Sequence, residues 1–174
     1  MRKLAGLVGL LILVSVPAQA QDYPKWELYT GYSYLRADFN RTDQALRGWN
    51  FTLTQNVKPW LGGMGEFTGD YASPGGIQQN VHTLMYGPVF SFRRGSFNPT
   101  AHAILGTVRG SQGYLGLSQT KWEFGAAFGG AVDVKFHRLV GIRIIQADYM
   151  VTPFRGVRQD NLRASAGIVF YLGK

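Results

Sequence analysis

The sequence predicts an all-β protein: an eight-stranded antiparallel up-and-down transmembrane β-barrel that follows a cleaved signal peptide. Two observations carry this prediction. After an apolar leader, eight segments have the composition of β-strands, and the connectors between them alternate between long and short along the whole chain. A transmembrane barrel has this rhythm because its turns are tight on one side of the membrane and its loops are long on the other.

The leader, residues 1–20, has the features of a secretory signal peptide. Arg2 and Lys3 form its positive start, residues 4–16 are apolar, and Ala18-Gln19-Ala20 fits the usual cleavage pattern. A transmembrane helix is the alternative, but the apolar run is shorter than the ~20 residues that a spanning helix needs. We therefore expect a signal peptide over 1–20 and a barrel domain over 21–174.

Composition restricts the classes of function. Removal of Arg2 and Lys3 with the leader lowers the formal net charge from +8 to +6. The remaining basic residues are scattered, so we expect no nucleic-acid partner, which would require a clustered basic face, but attraction to anionic surfaces such as lipid phosphates. The chain has no cysteine, which excludes disulfides, cysteine-ligated metals and thiol catalysis.

The predicted strands are longer than the ~5–6 residues common in globular proteins. A strand that crosses a bilayer at a tilt uses ~9–11 residues within the lipid. The segments are 25–35, 47–57, 60–71, 79–93, 98–109, 121–136, 139–150 and 161–172.

Five of these segments, the second, third, fourth, sixth and eighth, alternate between apolar and polar residues. Phe51 and Phe67 belong to apolar faces, whereas Thr52 and Glu66 belong to faces that mix charge with glycine. A soluble sandwich would turn its polar faces to bulk water and would not need the glycines. In a small barrel, glycine and serine leave room for larger polar side chains in the narrow interior. The polar faces are therefore expected to line the lumen and the apolar faces to contact lipid.

Aromatic residues fall into two belts at the predicted strand ends, as is typical of membrane interfaces. The alternative is an ordinary aromatic core in a soluble protein. The inner belt comprises Trp26, Trp60, Phe92, Phe97, Phe136 and Phe170, and the outer belt comprises Tyr34, Trp49, Tyr71, Trp122 and Tyr149.

The connectors set the predicted topology. The long ones span 36–46, 72–78, 110–120 and 151–160, and the short ones are Lys58-Pro59, 94–97 and His137-Arg138. If the short turns face the periplasm, both termini lie there as well.

Three places do not follow simple alternation. Pro88 lies inside a predicted strand of a closed sheet, so we expect a local bulge there. In the seventh segment Arg143 is on one face and Gln146 and Asp148 are on the other. Either a bulge near Ile144-Ile145 resets the phase or Asp148 lies above the lipid. The phase of the fifth segment stays open.

Tyr29-Thr30-Gly31-Tyr32-Ser33-Tyr34, the glycine-rich stretch 124–133 and residues 162–172 together resemble the OmpA/OmpX-like eight-stranded outer-membrane β-barrels. Gly167, Phe170 and Leu172 are similar to the family's C-terminal insertion signal, although the chain ends in Gly173-Lys174 and not in an aromatic residue. Full-length members carry a peptidoglycan-binding domain after the barrel, and we do not expect that activity here.

The resemblance implies a location in the bacterial outer membrane. It implies contacts with outer-membrane lipids, with lipopolysaccharide, and with the barrel-insertion machinery through the last strand. The loops are expected to provide the contact surface for any extracellular partner, which the sequence does not identify.

Five charged residues have inward phases: Glu27, Glu66, Glu123, Arg143 and Arg163. A buried charge is costly unless it is paired, so we expect salt bridges across the lumen. Because the first and last strands must pair, Glu27 and Arg163 are predicted to belong to one network. The network would plug the lumen, and the alternative is a gate or a proton path.

Residues that could carry chemistry are sparse. Some outer-membrane barrels are lipid A deacylases that use serine and histidine, but His82, His102 and His137 have no serine and carboxylate on an evident common face. The spacing of Asp133 and His137 is too long on a strand for two ligands of one metal ion. We expect no catalytic, cofactor or metal site. The expected role is structural or surface interaction, and the alternatives are a lipid-modifying enzyme or a soluble periplasmic ligand-binding barrel.

Overall fold

The computed structural model is a closed barrel in which each strand pairs with its neighbours in chain order. It describes residues 23–39, 42–114, 117–154 and 157–173, so the predicted signal peptide lies outside the described residues. The strands are β1 (Trp26–Phe39), β2 (Thr42–Lys58), β3 (Leu61–Ala72), β4 (Gln78–Ser91), β5 (Phe97–Tyr114), β6 (Leu117–Lys135), β7 (Val140–Phe154) and β8 (Val157–Leu172). The predicted fold is confirmed.

Closure of the barrel is carried by β1, which pairs antiparallel with both β2 and β8. The described ends of the chain meet on the side of the short turns, where Lys25 N donates to Gly173 O at 2.8 Å. Among the described residues, no helix is long and apolar enough to cross a membrane.

The register fixes the tilt of the strands. One row of paired residues leaves β6 at Phe124 and returns to β6 at Val134, ten positions further along; it passes Thr107, Leu84, Phe67, Phe51, Thr30, Ile168 and Ile142. Such a stagger requires strands inclined to the barrel axis, typically by ~35–45°. Residues far apart in the row therefore lie at different depths along the axis.

Side-chain directions follow the predicted alternation. Phe51 is 37% exposed on the outside, whereas its neighbour Thr52 is 1% exposed and faces the lumen. The structure also settles the phase of β5, in which His102, Ile104 and Val108 are buried in the lumen and Leu105 points outward.

Three of the four predicted long loops are wrong. The strand pairs β1–β2, β5–β6 and β7–β8 remain in register up to Phe39 and Thr42, Tyr114 and Leu117, and Phe154 and Val157. Beyond the lipid neither face of a strand must be apolar, so the polar and glycine-rich composition of these segments concealed their strands. The β3–β4 connection is irregular as predicted, with a 3₁₀ turn over Pro74–Gly76.

The two predicted bulges have opposite outcomes. The bulge in β7 is confirmed, because the register with β8 shifts between Arg143 and Gln146. The bulge at Pro88 is wrong. Proline has no N–H to donate, so the β4–β5 ladder is interrupted at Gly87 and Pro88, but it resumes at Val89 and His102 in the same register.

Candidate functional site: a charged network in the lumen

The β7 bulge brings three polar side chains to the same face of the sheet. Ile144 and Ile145 both point outward and are 57% and 48% exposed. Because the bulge adds one residue to the outer face, Arg143 before it and Gln146 and Asp148 after it all lie on the inner face, buried in the lumen. The polar interior of this part of the barrel depends on that irregularity.

Arg163 on β8 is the centre of the network. Its Nε and Nη2 donate to Asp148 Oδ2 at 3.1 and 2.8 Å, and its Nη1 donates to Thr68 Oγ1 at 3.2 Å. Nη2 also donates to Glu66 Oε1. The side chains of Arg163, Glu66 and Asp148 are inaccessible to solvent. One buried cation is thus held between two buried carboxylates.

Gln146 joins this group to a second arginine. Its amide nitrogen donates to Glu66 Oε2 at 2.7 Å and to Asp148 Oδ2 at 2.9 Å. Its amide oxygen accepts from Arg143 Nη1 at 2.6 Å. Arg143 in turn forms a bidentate pair with Asp133, with N–O distances of 2.7 and 3.0 Å. Neutral and charged groups therefore form one continuous network across four strands.

Further polar groups complete the network. His102 Nε2 lies 2.8 Å from Asp148 Oδ1. Asn50 Nδ2 donates to Glu66 Oε2 at 3.2 Å and to Ser165 Oγ at 3.3 Å. The Arg143 guanidinium also lies 4.3 Å from the centre of the Tyr29 ring, a distance at which a cation is attracted to an aromatic face.

Glu27 is separate from this network. Its register partner on β8 is Tyr171, whereas Arg163 lies opposite Leu35. Glu27 Oε1 accepts from Arg93 Nη2 at 2.5 Å and from Asn56 Nδ2 at 2.9 Å. The predicted pairing of Glu27 with Arg163 is therefore wrong, because neighbouring strands bring two residues together only when their register positions also match.

Glu123 has the inward phase but is only half-buried. It lies opposite Val108 on β5, and no ion pair of the described residues joins it to the network. Of the five charged residues singled out in the sequence, the structure thus brings together Glu66, Arg143 and Arg163. Asp133, Asp148, Gln146 and His102 were not among them, although the ambiguous phase of the seventh segment was the signal for two of these.

Apolar side chains fill a second part of the lumen. Leu35, Leu46, Val81, Val108 and Met150 belong to one buried cluster in the barrel interior. A cavity of about 20 Å³ remains beside this cluster, which is room for about one water molecule. The interior is therefore filled by side chains of both kinds, and not by polar groups alone as the sequence suggested.

The three histidines have separate environments. His82 is on the outside, where its Nε2 is 3.0 Å from the Tyr71 hydroxyl, and the His137 ring accepts from Leu139 N in a turn at 3.4 Å. His102 is 5% exposed. Among the described residues, none of the three is hydrogen-bonded to a serine, and no group of three or more metal-ligating side chains is present.

The outer surface has the predicted aromatic belts. Four members of the inner belt, Trp60, Phe92, Phe97 and Phe136, are 47–64% exposed, and the other two, Trp26 and Phe170, are half-buried. All five members of the outer belt are exposed. Between the belts, the outward side chains include Phe51, Phe67, Phe90 and Ile168. The exterior is therefore an apolar band with an aromatic residue set at each edge.

The fold defines the class. The described barrel has the architecture of the small eight-stranded outer-membrane β-barrels, and the resemblance expected from the sequence is confirmed at the level of the fold. A scan against models of known protein families gives no match, and a search of curated protein sequences gives none.

Solved structures give three informative comparisons. Neisserial surface protein A is 13% identical with a TM-score of 0.71, covering 87% of this chain and 100% of that one. Ail, the attachment invasion locus protein of Yersinia pestis, is 18% identical with a TM-score of 0.61, covering 85% and 99%. The N-terminal β-barrel domain of Pseudomonas aeruginosa OprF is 10% identical with a TM-score of 0.62, covering 86% and 98%.

Proposed function

We propose that the protein is an integral outer-membrane barrel with a structural or surface-interaction role and a closed lumen, and that it is not an enzyme. The short turns face the periplasm, so that both termini are periplasmic. Outer-membrane lipids and lipopolysaccharide surround it, and its last strand is the segment that the barrel-insertion machinery binds. The single observation that carries this proposal is the inverted distribution of side chains: apolar outside and charged inside.

The exterior supports membrane insertion. Phe51, Phe67, Phe90 and Ile168 come from four strands and are 37–46% exposed. In a soluble barrel these residues would face the interior, because removing apolar surface from water is the main favourable contribution to folding. The outward band leaves them without such burial unless hydrocarbon surrounds the barrel.

The interior supports a closed lumen. An ion passing along the axis would have to displace Arg163 from both of its carboxylate partners, and each group left unpaired would remain buried at a cost of several kcal/mol. The apolar cluster around Leu35, Val108 and Met150 is a second obstacle, since it offers an ion no hydrogen-bonding groups.

Fractionation of cells and conductance measurements test the proposal. The protein is expected to stay with outer membranes after alkaline washing, to shift in electrophoretic mobility on heating, and to show no channel events in planar bilayers. Release by alkali would identify a soluble barrel. Steady conductance in the unaltered protein would contradict the closed lumen and support the gate.

One feature of the outer end supports a surface-interaction role. β6 begins at Leu117, but its ladder with β7 begins only at Ala126 and Val151. The edge of residues 117–125 that faces β7 therefore has no strand partner in the described ladder, and such an edge can accept an added strand from an extended peptide. An epitope inserted at residues 115–116 should be accessible to antibody on intact cells, and labelling only after lysis would reverse the topology.

A further inference from the structure

We infer that the short-turn end of the barrel is a cationic collar that binds the phosphate groups of anionic glycerophospholipids in the adjacent leaflet. This inference rests on the proposed membrane location and adds a preferred lipid class. The collar consists of Lys58, Arg94 and Arg138, one exposed basic residue in each of the three short turns.

All three turns have the same arrangement of side chains. An exposed apolar residue precedes the basic residue and another follows it: Val57 and Trp60, Phe92 and Phe97, and Phe136 and Leu139, which are 47–66% exposed. Apolar and aromatic side chains favour the boundary between acyl chains and headgroups, while a long basic side chain extends its charge toward the phosphates. Each turn therefore presents a positive charge between two anchors.

No acidic residue within the three turns offsets their positive charge. Residues 57–60, 92–97 and 136–139 include no Asp or Glu. The carboxylate of Glu27 at the same end is buried and paired with Arg93, which leaves Arg94 exposed beside that pair. The field at this end is consequently positive toward the leaflet.

The distribution of the turns favours lipid over other anions. The turns join β2 to β3, β4 to β5, and β6 to β7, so they recur every second strand around the barrel wall. A single compact polyanion would fit charges clustered on one side. Charges that are spaced around the circumference, each beside outward apolar side chains, fit a ring of separate headgroups.

At the turn between β2 and β3, a contact between the basic side chain and its aromatic neighbour supports this arrangement. Lys58 Nζ lies 5.5 Å from the centre of the Trp60 ring, and Trp60 stacks on Phe90 with a ring separation of 6.2 Å. Trp60 is thus fixed at the edge of the apolar band next to a collar residue, and its fluorescence can report which lipid is adjacent.

The test uses the mature chain with Trp60 as its only tryptophan, through Trp26→Phe, Trp49→Phe and Trp122→Phe. The protein is folded into mixed vesicles of phosphatidylglycerol and phosphatidylcholine in which one lipid or the other has brominated acyl chains. Brominated phosphatidylglycerol is expected to quench Trp60 more strongly than brominated phosphatidylcholine. Lys58 is left unchanged because it contacts the reporter ring.

Because Trp60 reports only on lipids beside its own turn, the other two turns are read with Phe97→Trp beside Arg94 or Phe136→Trp beside Arg138 as the only tryptophan. The variant Arg94→Gln/Arg138→Gln should lower the preference at each of these reporters by about fivefold, the equivalent of about 1 kcal/mol per charge. The matched control is Arg47→Gln/Arg109→Gln, which removes two exposed arginines from the other end and should preserve the preference. Equal quenching by the two lipids in the protein with native arginines, or equal losses in the two variants, would overturn the inference. Absence of quenching by both lipids would instead contradict the membrane location.

Discussion

Replacement of Arg163 by methionine is the most direct test of the lumen network. The change removes donors to Asp148, Glu66 and Thr68 and keeps a long apolar side chain in place. Glu66 and Asp148 then stay buried without their shared cation. Breaking a buried ion pair in this way typically costs ~3–5 kcal/mol, so the free energy of unfolding should fall by about that amount.

The second change is Glu66→Gln, which leaves Arg163 paired with Asp148. Loss of a hydrogen bond to a charged group costs ~1.5–3 kcal/mol. The double variant removes both members of one contact, so its cost should be smaller than the sum of the single costs by ~0.5–3 kcal/mol, the coupling expected for residues in one network.

Glu27→Gln provides the internal control. Glu27 pairs with Arg93, and no described contact joins it to Arg163. The combination Glu27→Gln/Arg163→Met should therefore be additive within ~0.3–0.5 kcal/mol.

Urea unfolding in lipid vesicles, followed by tryptophan fluorescence and by heat-dependent electrophoretic mobility, measures both cycles. Additivity of Glu66→Gln with Arg163→Met, or strong coupling of Glu27→Gln with Arg163→Met, would refute the contacts described here. If the single variants kept full stability but conducted ions in planar bilayers, the network would be a gate.

Spin labels at Phe51, Phe67, Phe90 and Ile168 should report hydrocarbon, and labels at Thr52 and Ser165 should not; equally aqueous spectra would identify a soluble barrel. Phe51→Arg should cost roughly 2–4 kcal/mol near the bilayer midplane, measured by the same unfolding assay, and a neutral effect would place Phe51 outside the lipid. Gly48→Ala should destabilise the barrel by ~1–3 kcal/mol, because its Cβ would approach Gly69 O to 1.7 Å, whereas Gly65→Ala has its nearest atoms at 3.9 Å; similar costs for both would contradict this reasoning. Protease added to intact cells should cut within 72–78, the predicted long connection that is irregular in the structure, and should spare Lys58-Pro59 and His137-Arg138; cleavage at the turns alone would invert the topology.

The alternation of apolar and polar residues was sufficient to predict the fold. In strands such as β3, the directions of Glu66 and Phe67 follow directly from a period of two. The prediction was less complete where the period is interrupted. Ile144 and Ile145 are both apolar, so the sequence allowed the β7 bulge but could not require it, and Gln146 and Asp148 remained unassigned.

Which side chains pair with each other across the lumen was harder to predict than whether each side chain points inward or outward. Arg93 follows β4 in a turn, and nothing in the pattern indicated that its side chain returns to Glu27. The sequence also did not predict the parts of the strands that extend beyond the lipid. Apolar and polar residues alternate only where one face of a strand must be apolar, and this pattern disappears where both faces contact water. In these extensions, backbone pairing with the neighbouring strand determines the structure, as for Phe154 with Val157.

The lumen network has a consequence for the way the chain enters a membrane. Asp133 and Arg143 belong to β6 and β7, and Asp148 and Arg163 belong to β7 and β8, so adjacent strands carry opposite charges into the bilayer together. A strand crossing alone would place an ionised side chain in hydrocarbon, which is unfavourable. Glu66, 97 positions before Arg163, finds its cation only when the last strand arrives. Translocation of the C-terminal strands and closure of the barrel should therefore occur as one kinetic step, and slow intermediates with β8 outside should also lack an inserted β7.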